Sequence, residues 1–128
     1  MIMNDLNSVL LEGNLIRDPV LKDRRDKGIV VCYFPIASNR YYQNTDSAIE
    51  KEVSFFDVEV EDKRLIDICL AKGRKGKNLR IVGRLKQERW KDLHNQDFSK
   101  IIVIPDHIEF RETNPSTATK KELNNENN

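Results

Sequence analysis

The residues best suited to chemistry lie between Lys72 and Lys91. Nine basic side chains (Lys72, Arg74, Lys75, Lys77, Arg80, Arg84, Lys86, Arg89 and Lys91) meet one acid there, Glu88, for a net +8. Read as a strand, Leu79–Trp90 places Arg80, Val82, Arg84, Lys86, Glu88 and Trp90 on one face and Leu79, Ile81, Gly83 and Leu85 on the other, core-facing side. The first set ends in the only tryptophan of the chain. Cationic groups attract phosphates, and an indole offers a flat face on which a base stacks, worth about 1–3 kcal/mol per base. That combination suits single-stranded nucleic acid, whose bases are splayed. The plainer alternative is a solvated basic face with Trp90 capping the sheet.

A second cluster, Asn39-Arg40-Tyr41-Tyr42, again sets aromatic rings beside a cation, and Phe55 falls on the outer face of its own strand. Half-buried tyrosines covering the mouth of a barrel would read the same way. From Asp46 to Asp62 seven acids stand against one lysine, a net −6. Asp57, Glu59 and Glu61 share one strand face, as a metal-using nuclease would require. A solvated edge, or a partner for the basic strand, is the simpler reading. His94 and His107 match no zinc spacing, and neither Cys32 nor Cys69 lies near them. His107, in an apolar strand, reads as structural. Gly76-Lys77 lacks the frame of a phosphate loop. Gly73-Arg74-Lys75-Gly76 matches the GxxG pattern of KH domains, but strand rather than helix follows it. No nucleophile–base pair or metal set stands out, so the expectation is a binding protein that is not an enzyme and needs no cofactor.

The elements that must position these residues follow from periodicity. Strands are expected over Asn7–Ile16, Ile29–Asn39, Val53–Val60, Leu79–Trp90 and Phe98–Phe110, with a helix over Lys63–Lys72 stopped by Gly73. Lys22–Gly28 and Tyr41–Glu50 read as loops. Pro35 marks an edge or a bulge, and Pro105 a bulge. Three strands, a helix and two strands fit an all-β fold: a five-stranded OB-type Greek-key barrel with one short helix between strands three and four. An open α+β sheet is the competing architecture.

The chain has 128 residues with 22 Lys+Arg and 21 Asp+Glu, a net charge of +1 that hides the polarised segments above. One domain is expected over residues 1–111, followed by a disordered polar tail over 112–128 whose only apolar residues are Ala118 and Leu123. The longest apolar run, Ile29–Phe34, is six residues, far short of the roughly twenty a membrane-spanning helix needs. Two cysteines and the absence of a signal-peptide pattern at the start point to a reduced, cytoplasmic setting, with no membrane partner.

Taken in order, Asn7-Ser8-Val9-Leu10-Leu11-Glu12-Gly13-Asn14-Leu15, Arg17-Asp18-Pro19, Phe34-Pro35-Ile36-Ala37-Ser38-Asn39-Arg40, Lys72-Gly73, Gly83-Arg84-Leu85 and Trp90-Lys91-Asp92 resemble the bacterial single-stranded DNA-binding protein (SSB) family over about residues 4–110. The resemblance implies an OB barrel, assembly as a homotetramer, and wrapping of single-stranded DNA in replication, recombination and repair. It carries the family's stacking aromatics onto Tyr42, Phe55 and Trp90. A further stacking position falls on Glu61, which repels phosphate. Arg40, Arg80, Arg84, Lys86 and Lys91 are the expected phosphate contacts, helped by Arg74, Lys75 and Lys77. Family tails usually end in an acidic tip that recruits replication and repair proteins, whereas this sequence ends Leu-Asn-Asn-Glu-Asn-Asn. An RNA-binding or primosomal OB protein, and a protein-docking module of the replisome, are the other readings of the same residues.

Overall fold

The structure, a computed structural model, describes residues 1–24 and 28–112. The elements run β1 (Val9–Leu15), β2 (Val20–Arg24), β3 (Ile29–Gln43), β4 (Ile49–Val60), α1 (Lys63–Lys72), β5 (Asn78–Lys91) and β6 (Asp97–Phe110). Strands lie in the order β1-β5-β6-β4-β3-β2, and β1 also pairs with β3. Five strands therefore close a barrel, and β2 is an added strand on β3. All pairings are antiparallel except β4 with β6, where Val58 meets Val103. This closure, with its helix between the third and fourth barrel strands, is the OB arrangement expected from the sequence.

Alternation fills the barrel. Phe34 and Ile36 of β3, Val58 and Val60 of β4, Leu79 and Ile81 of β5, and Val103, Ile108 and Phe110 of β6 form one apolar cluster. Leu65, Ile66 and Cys69 of α1 plug its end. Asp62 starts the helix by accepting a hydrogen bond from the Leu65 amide at 3.1 Å, which satisfies one of the free N–H groups of the first turn. The helix does stop at Gly73, but not through a left-handed turn. Gly73 is extended, with φ −79°. A Cβ there would lie 2.6 Å from the Cys69 carbonyl oxygen and 2.7 Å from Pro19 Cγ, so close approach is what demands glycine.

Several expectations are corrected. The supposed loop Lys22–Gly28 begins as strand: Val20–Arg24 pairs with Ile29–Tyr33. Charged residues obscured it, because only one face of β2 meets protein. The supposed loop Tyr41–Glu50 is mostly hairpin, since β3 runs to Gln43 and β4 starts at Ile49. Its turn is tight. Asn44 Oδ1 accepts hydrogen bonds from the amides of Asp46 (2.9 Å) and Ala48 (3.0 Å), and Ser47 takes φ +64° without a glycine to announce it. The β5–β6 turn repeats the device, with Asp92 Oδ1 bonded to the amides of His94 and Gln96 and Asn95 at φ +62°.

Pro35 lies neither on a free edge nor in a bulge. It stays in register opposite Asp57, at the point where the other side of β3 passes from β2 to β1, so no ladder needs its missing N–H. Pro105 does adjoin a bulge: Val82 faces His107 and Gly83 faces Pro105, which leaves Asp106 as the extra residue. Leu85, expected in the core, is 44% exposed. Pairing of β1 with β5 stops at Val9–Gly83, so Leu85 has no β1 neighbour to cover it, although its β6 partner Val103 is buried. The Asn7 side chain bonds both the amide and the carbonyl of Leu85 instead. His107 is exposed on the outer surface rather than packed within. Of the tail expected over residues 112–128, residues 113–128 lie outside the described residues.

Candidate nucleic-acid interface

Strand registers decide which side chains share a surface. Phe55 pairs with Ala37, so the outer faces of β3 and β4 carry Tyr33, Asn39 and Tyr41 with Phe55, Asp57, Glu59 and Glu61. Across β6 the same face continues through Phe98, Lys100, Ile102 and Ile104 to Trp90, Glu88, Lys86 and Arg84 of β5. Ion pairs confirm the neighbourhood: Lys100 meets Asp57 at 3.7 Å, and Lys86 meets Glu61 at 3.6 Å. Phe55 is 69% exposed. Trp90 is 46% exposed and stacks on Phe98 across the hairpin, with ring centroids 5.9 Å apart and planes 18° from parallel. The Phe98 ring holds one side of the indole and leaves part of it open. Arg89, Lys91 and Gln87 line a cavity of about 610 Å³ beside this pair.

The acidic face of β4 is not a metal cradle in shape. Each carboxylate is met by a donor. Glu59, 2% exposed, takes a two-pronged hydrogen bond from Arg24 of β2, at 3.1 Å to Nε and 2.5 Å to Nη2. Asp57 accepts from the Tyr33 hydroxyl at 2.7 Å. Burial, then that hydrogen bond to Asp57, raises the Tyr33 pKa above its usual value. Lys22 lies over the Tyr33 ring at 3.8 Å. This clamp of β2 onto β4 across β3, with Val31, Ile102 and Ile104 buried around it, is a second, outer core that periodicity did not reveal.

The expected phosphate contacts fall into separate places. Arg84 and Lys86 lie mid-face. Arg84 reaches Asp106 at 3.5 Å, and Lys86 reaches Glu88 at 3.4 Å as well as Glu61. Lys91 sits at the hairpin tip, 3.6 Å from Asp97. Arg80 lies toward β1, bonded to Glu12 at 2.6 Å, and Arg111 joins the same carboxylate at 3.3 Å. The Arg80 hydrogen bond holds the Glu12 pKa below the usual carboxylate range. Arg74, Lys75 and Lys77 occupy the loop before β5, where the Lys75 amide donates to Asp18 Oδ1 at 2.7 Å. Their side chains make no ion pair among the described residues. Thirteen residues of strand geometry separate Lys77 from Trp90, about 40 Å along β5, so these are two ends of one long surface.

The aromatics are also divided. Tyr42 pairs with Glu50 and lies on the opposite face of the β3–β4 ribbon from Phe55. Arg40 covers its ring at 4.9 Å. Tyr41, 64% exposed, is the tyrosine on the Phe55 face. Sequence reasoning offered Tyr41 and Tyr42 together as rings beside Arg40 but carried only Tyr42 into the expected stacking set, and it missed Phe98 and Lys100 as face residues. A hairpin register counted outward from the Asp92–Gln96 turn would have set Phe98 opposite Trp90.

The single-strand binding protein family model matches residues 6–111. The chain belongs to that family. The match spans the whole barrel and both hairpin arms. The chain is 34% identical over 103 residues to the single-stranded DNA-binding protein of Aquifex aeolicus, covering 80% of this chain and 68% of that one. It is 33% identical over 119 residues to the single-stranded DNA-binding protein of Borreliella burgdorferi, covering 90% and 76%. Among solved structures, a Plasmodium falciparum SSB in complex with ssDNA superposes with a TM-score of 0.74 at 20% identity, over 88% of this chain and 100% of that one. The last likeness supports the OB fold. No helix among the described residues is long and apolar enough to cross a membrane.

Proposed function

We propose that this protein binds single-stranded DNA with little sequence preference and without catalysis. The observation that carries the reading is the half-open Trp90–Phe98 stack. It stands on an arm whose face continues into Phe55, Tyr41, Lys86, Arg84 and Lys100, in a barrel of the SSB family. Every base has a face to stack, so such a surface tolerates sequence. Phe55, Trp90 and Tyr42 act as stacking residues. Tyr42 serves a strand that crosses the edge of the β3–β4 arm, and Tyr41 serves the face. Arg40, Arg84, Lys86 and Lys91 take phosphates along the way. Arg80 contributes on the β1 side, and Arg74, Lys75 and Lys77 at the far end of β5.

The role is protection of exposed strands during replication, recombination and repair in the bacterial cytoplasm, as a homo-oligomer. Leu10, at 79% exposure, beside exposed Val82 leaves apolar surface on the outer β1–β5 face for a second copy. Titration of Trp90 fluorescence with a thirty-five-nucleotide oligo-dT tests the reading. Quenching by the single strand and not by a duplex of the same length supports it. Absence of both quenching and binding at low salt overturns it and favours a protein-docking role for the basic strand. Equal or tighter binding of RNA of the same length shifts the substrate to RNA.

A further inference from the structure

The candidate interface lies on the outside of the barrel and uses neither cysteine. Cys32 of β3 sits in the core with Phe34, Ile36, Val58 and Val60, and Cys69 of α1 enters the same cluster with Leu65 and Ile66. Both are 0% exposed, and neither is in a disulfide. The two side chains are hydrogen-bonded to each other across the boundary between strand and helix. A buried cysteine by itself behaves as a small apolar residue. Two in side-chain contact, thirty-seven positions apart in the chain, are the arrangement from which a disulfide forms. The contact is also asymmetric. The hydrogen bond from Cys69 lowers the Cys32 pKa, whereas the same bond, then burial, raises that of Cys69. Cys69 is therefore the donor, and the Cys32 sulfur is the more readily ionised nucleophile.

The geometry points to a latent disulfide: Cys32 and Cys69 join β3 to α1 covalently when a hydroperoxide reaches them. The Cys32 thiolate attacks one oxygen of hydrogen peroxide and the O–O bond breaks. The departing hydroxide takes up the Cys32 proton as water, and Cys32 is left as a sulfenic acid. The Cys69 sulfur then attacks the Cys32 sulfur, the S–O bond breaks, and hydroxide leaves with the Cys69 proton as a second water. Two thiols lose two electrons in forming one disulfide, and one peroxide is reduced to two waters. Both sulfurs are sealed from solvent, so the reaction waits on openings of α1, a ten-residue helix whose outer side carries Leu70 at 45% exposure. A sealed pair ignores brief exposure to oxidant and records sustained exposure. The bond closes a loop holding most of β3 and all of β4, and it fixes the helical plug to the barrel. Such a cross-link restricts the unfolded chain, so the barrel gains stability while its outer face keeps its shape. Thiol reductants reverse the bond by exchange when the helix opens.

The test holds the reduced, folded, unaltered protein in hydrogen peroxide until thiol loss reaches a plateau. Thiols are then counted in denaturant, the intact mass is measured, and peptides are mapped without reductant. The expected result is joint loss of both thiols, a mass lower by two hydrogen atoms, and a Cys32–Cys69 peptide pair. The thermal midpoint should rise by about 10 °C, the effect of a native cross-link on a domain of this size. Dithiothreitol should reverse all of these changes. Cys69→Ala, which keeps the Cys32 sulfur, should show no rise in midpoint with peroxide, and a rise there overturns the pairing. Should Cys69→Ala not fold, the peptide map of the unaltered protein decides by itself. Survival of both thiols overturns the proposal, because the barrel then seals the pair for good. Disulfide-linked dimers, or over-oxidation of Cys32 with Cys69 untouched, overturn it as well. A midpoint that fails to rise on oxidation overturns the locking role, and a loss of oligo-dT binding relative to the reduced form shows that the bond distorts the outer face and overturns it too.

Discussion

At the scale of the residue, the surface combines attraction with restraint. Trp90 keeps about half its area open while Phe98 fixes its plane, so little ordering cost remains when a base arrives. Trp90→Ala is expected to weaken oligo-dT binding by about 1–3 kcal/mol in a fluorescence-independent assay such as filter binding or calorimetry. Unchanged affinity would reduce Trp90 to a structural role. Glu61 works the other way. Its carboxylate engages Lys86 at 3.6 Å, where phosphate would otherwise go. Both groups are partly exposed, so the pair itself is worth about 0–1 kcal/mol. Glu61→Gln should therefore raise affinity for oligo-dT by up to about fivefold at low salt, with stability nearly unchanged. A loss of affinity would show that Glu61 orders Lys86 productively.

At the scale of the element, β2 is held by more than its ladder with β3. Arg24 reaches across to the buried carboxylate of Glu59 on β4. Losing one partner of a buried pair leaves the other charge uncompensated, which costs about 3–5 kcal/mol. Arg24→Ala should lower the denaturation midpoint accordingly, and Glu59→Gln, which removes the stranded charge, should restore part of the loss in the double variant. Equal midpoints for Arg24→Ala and the unaltered protein would mean that water reaches Glu59. The helix stop makes a second element-scale test. Gly73→Ala meets the Cys69 carbonyl and the Pro19 ring. Overpacking of that kind costs about 1–3 kcal/mol, so a fall in thermal midpoint is expected although φ itself suits any residue. An unaltered midpoint would show that the Pro19 turn yields.

At the scale of the whole molecule, charge is arranged in strips rather than spread. Four of the expected phosphate-binding cations, Arg80, Arg84, Lys86 and Lys91, pair with carboxylates, whereas Arg74, Lys75 and Lys77 make no ion pair among the described residues. If about four cations exchange those partners for phosphates, log affinity falls with log salt at a slope of about −0.7 × 4, or roughly −3. That is about fifty-fold between 50 and 200 mM salt. A slope near zero would remove the electrostatic part of the model.

The alternation of β1, β3, β4 and β5, the length of α1 and its stop at Gly73, and the bulge at Pro105 were legible because each depends on nearby residues and a period of two or 3.6. The Greek-key barrel followed from their order. The family motifs, spread in sequence over the barrel, named the class of ligand. What the sequence did not hold was any relation set by pairing across strands. The Asx turns at Asn44 and Asp92 fix hairpin register, and register alone puts Tyr41 rather than Tyr42 on the Phe55 face and Phe98 against Trp90. The charged β2 looked like a loop because Glu59, the carboxylate that anchors its Arg24, is distant in the chain. Local chemistry is written in the order of residues. Which groups meet is decided when strands far apart in sequence come to lie about 5 Å apart in a closed sheet.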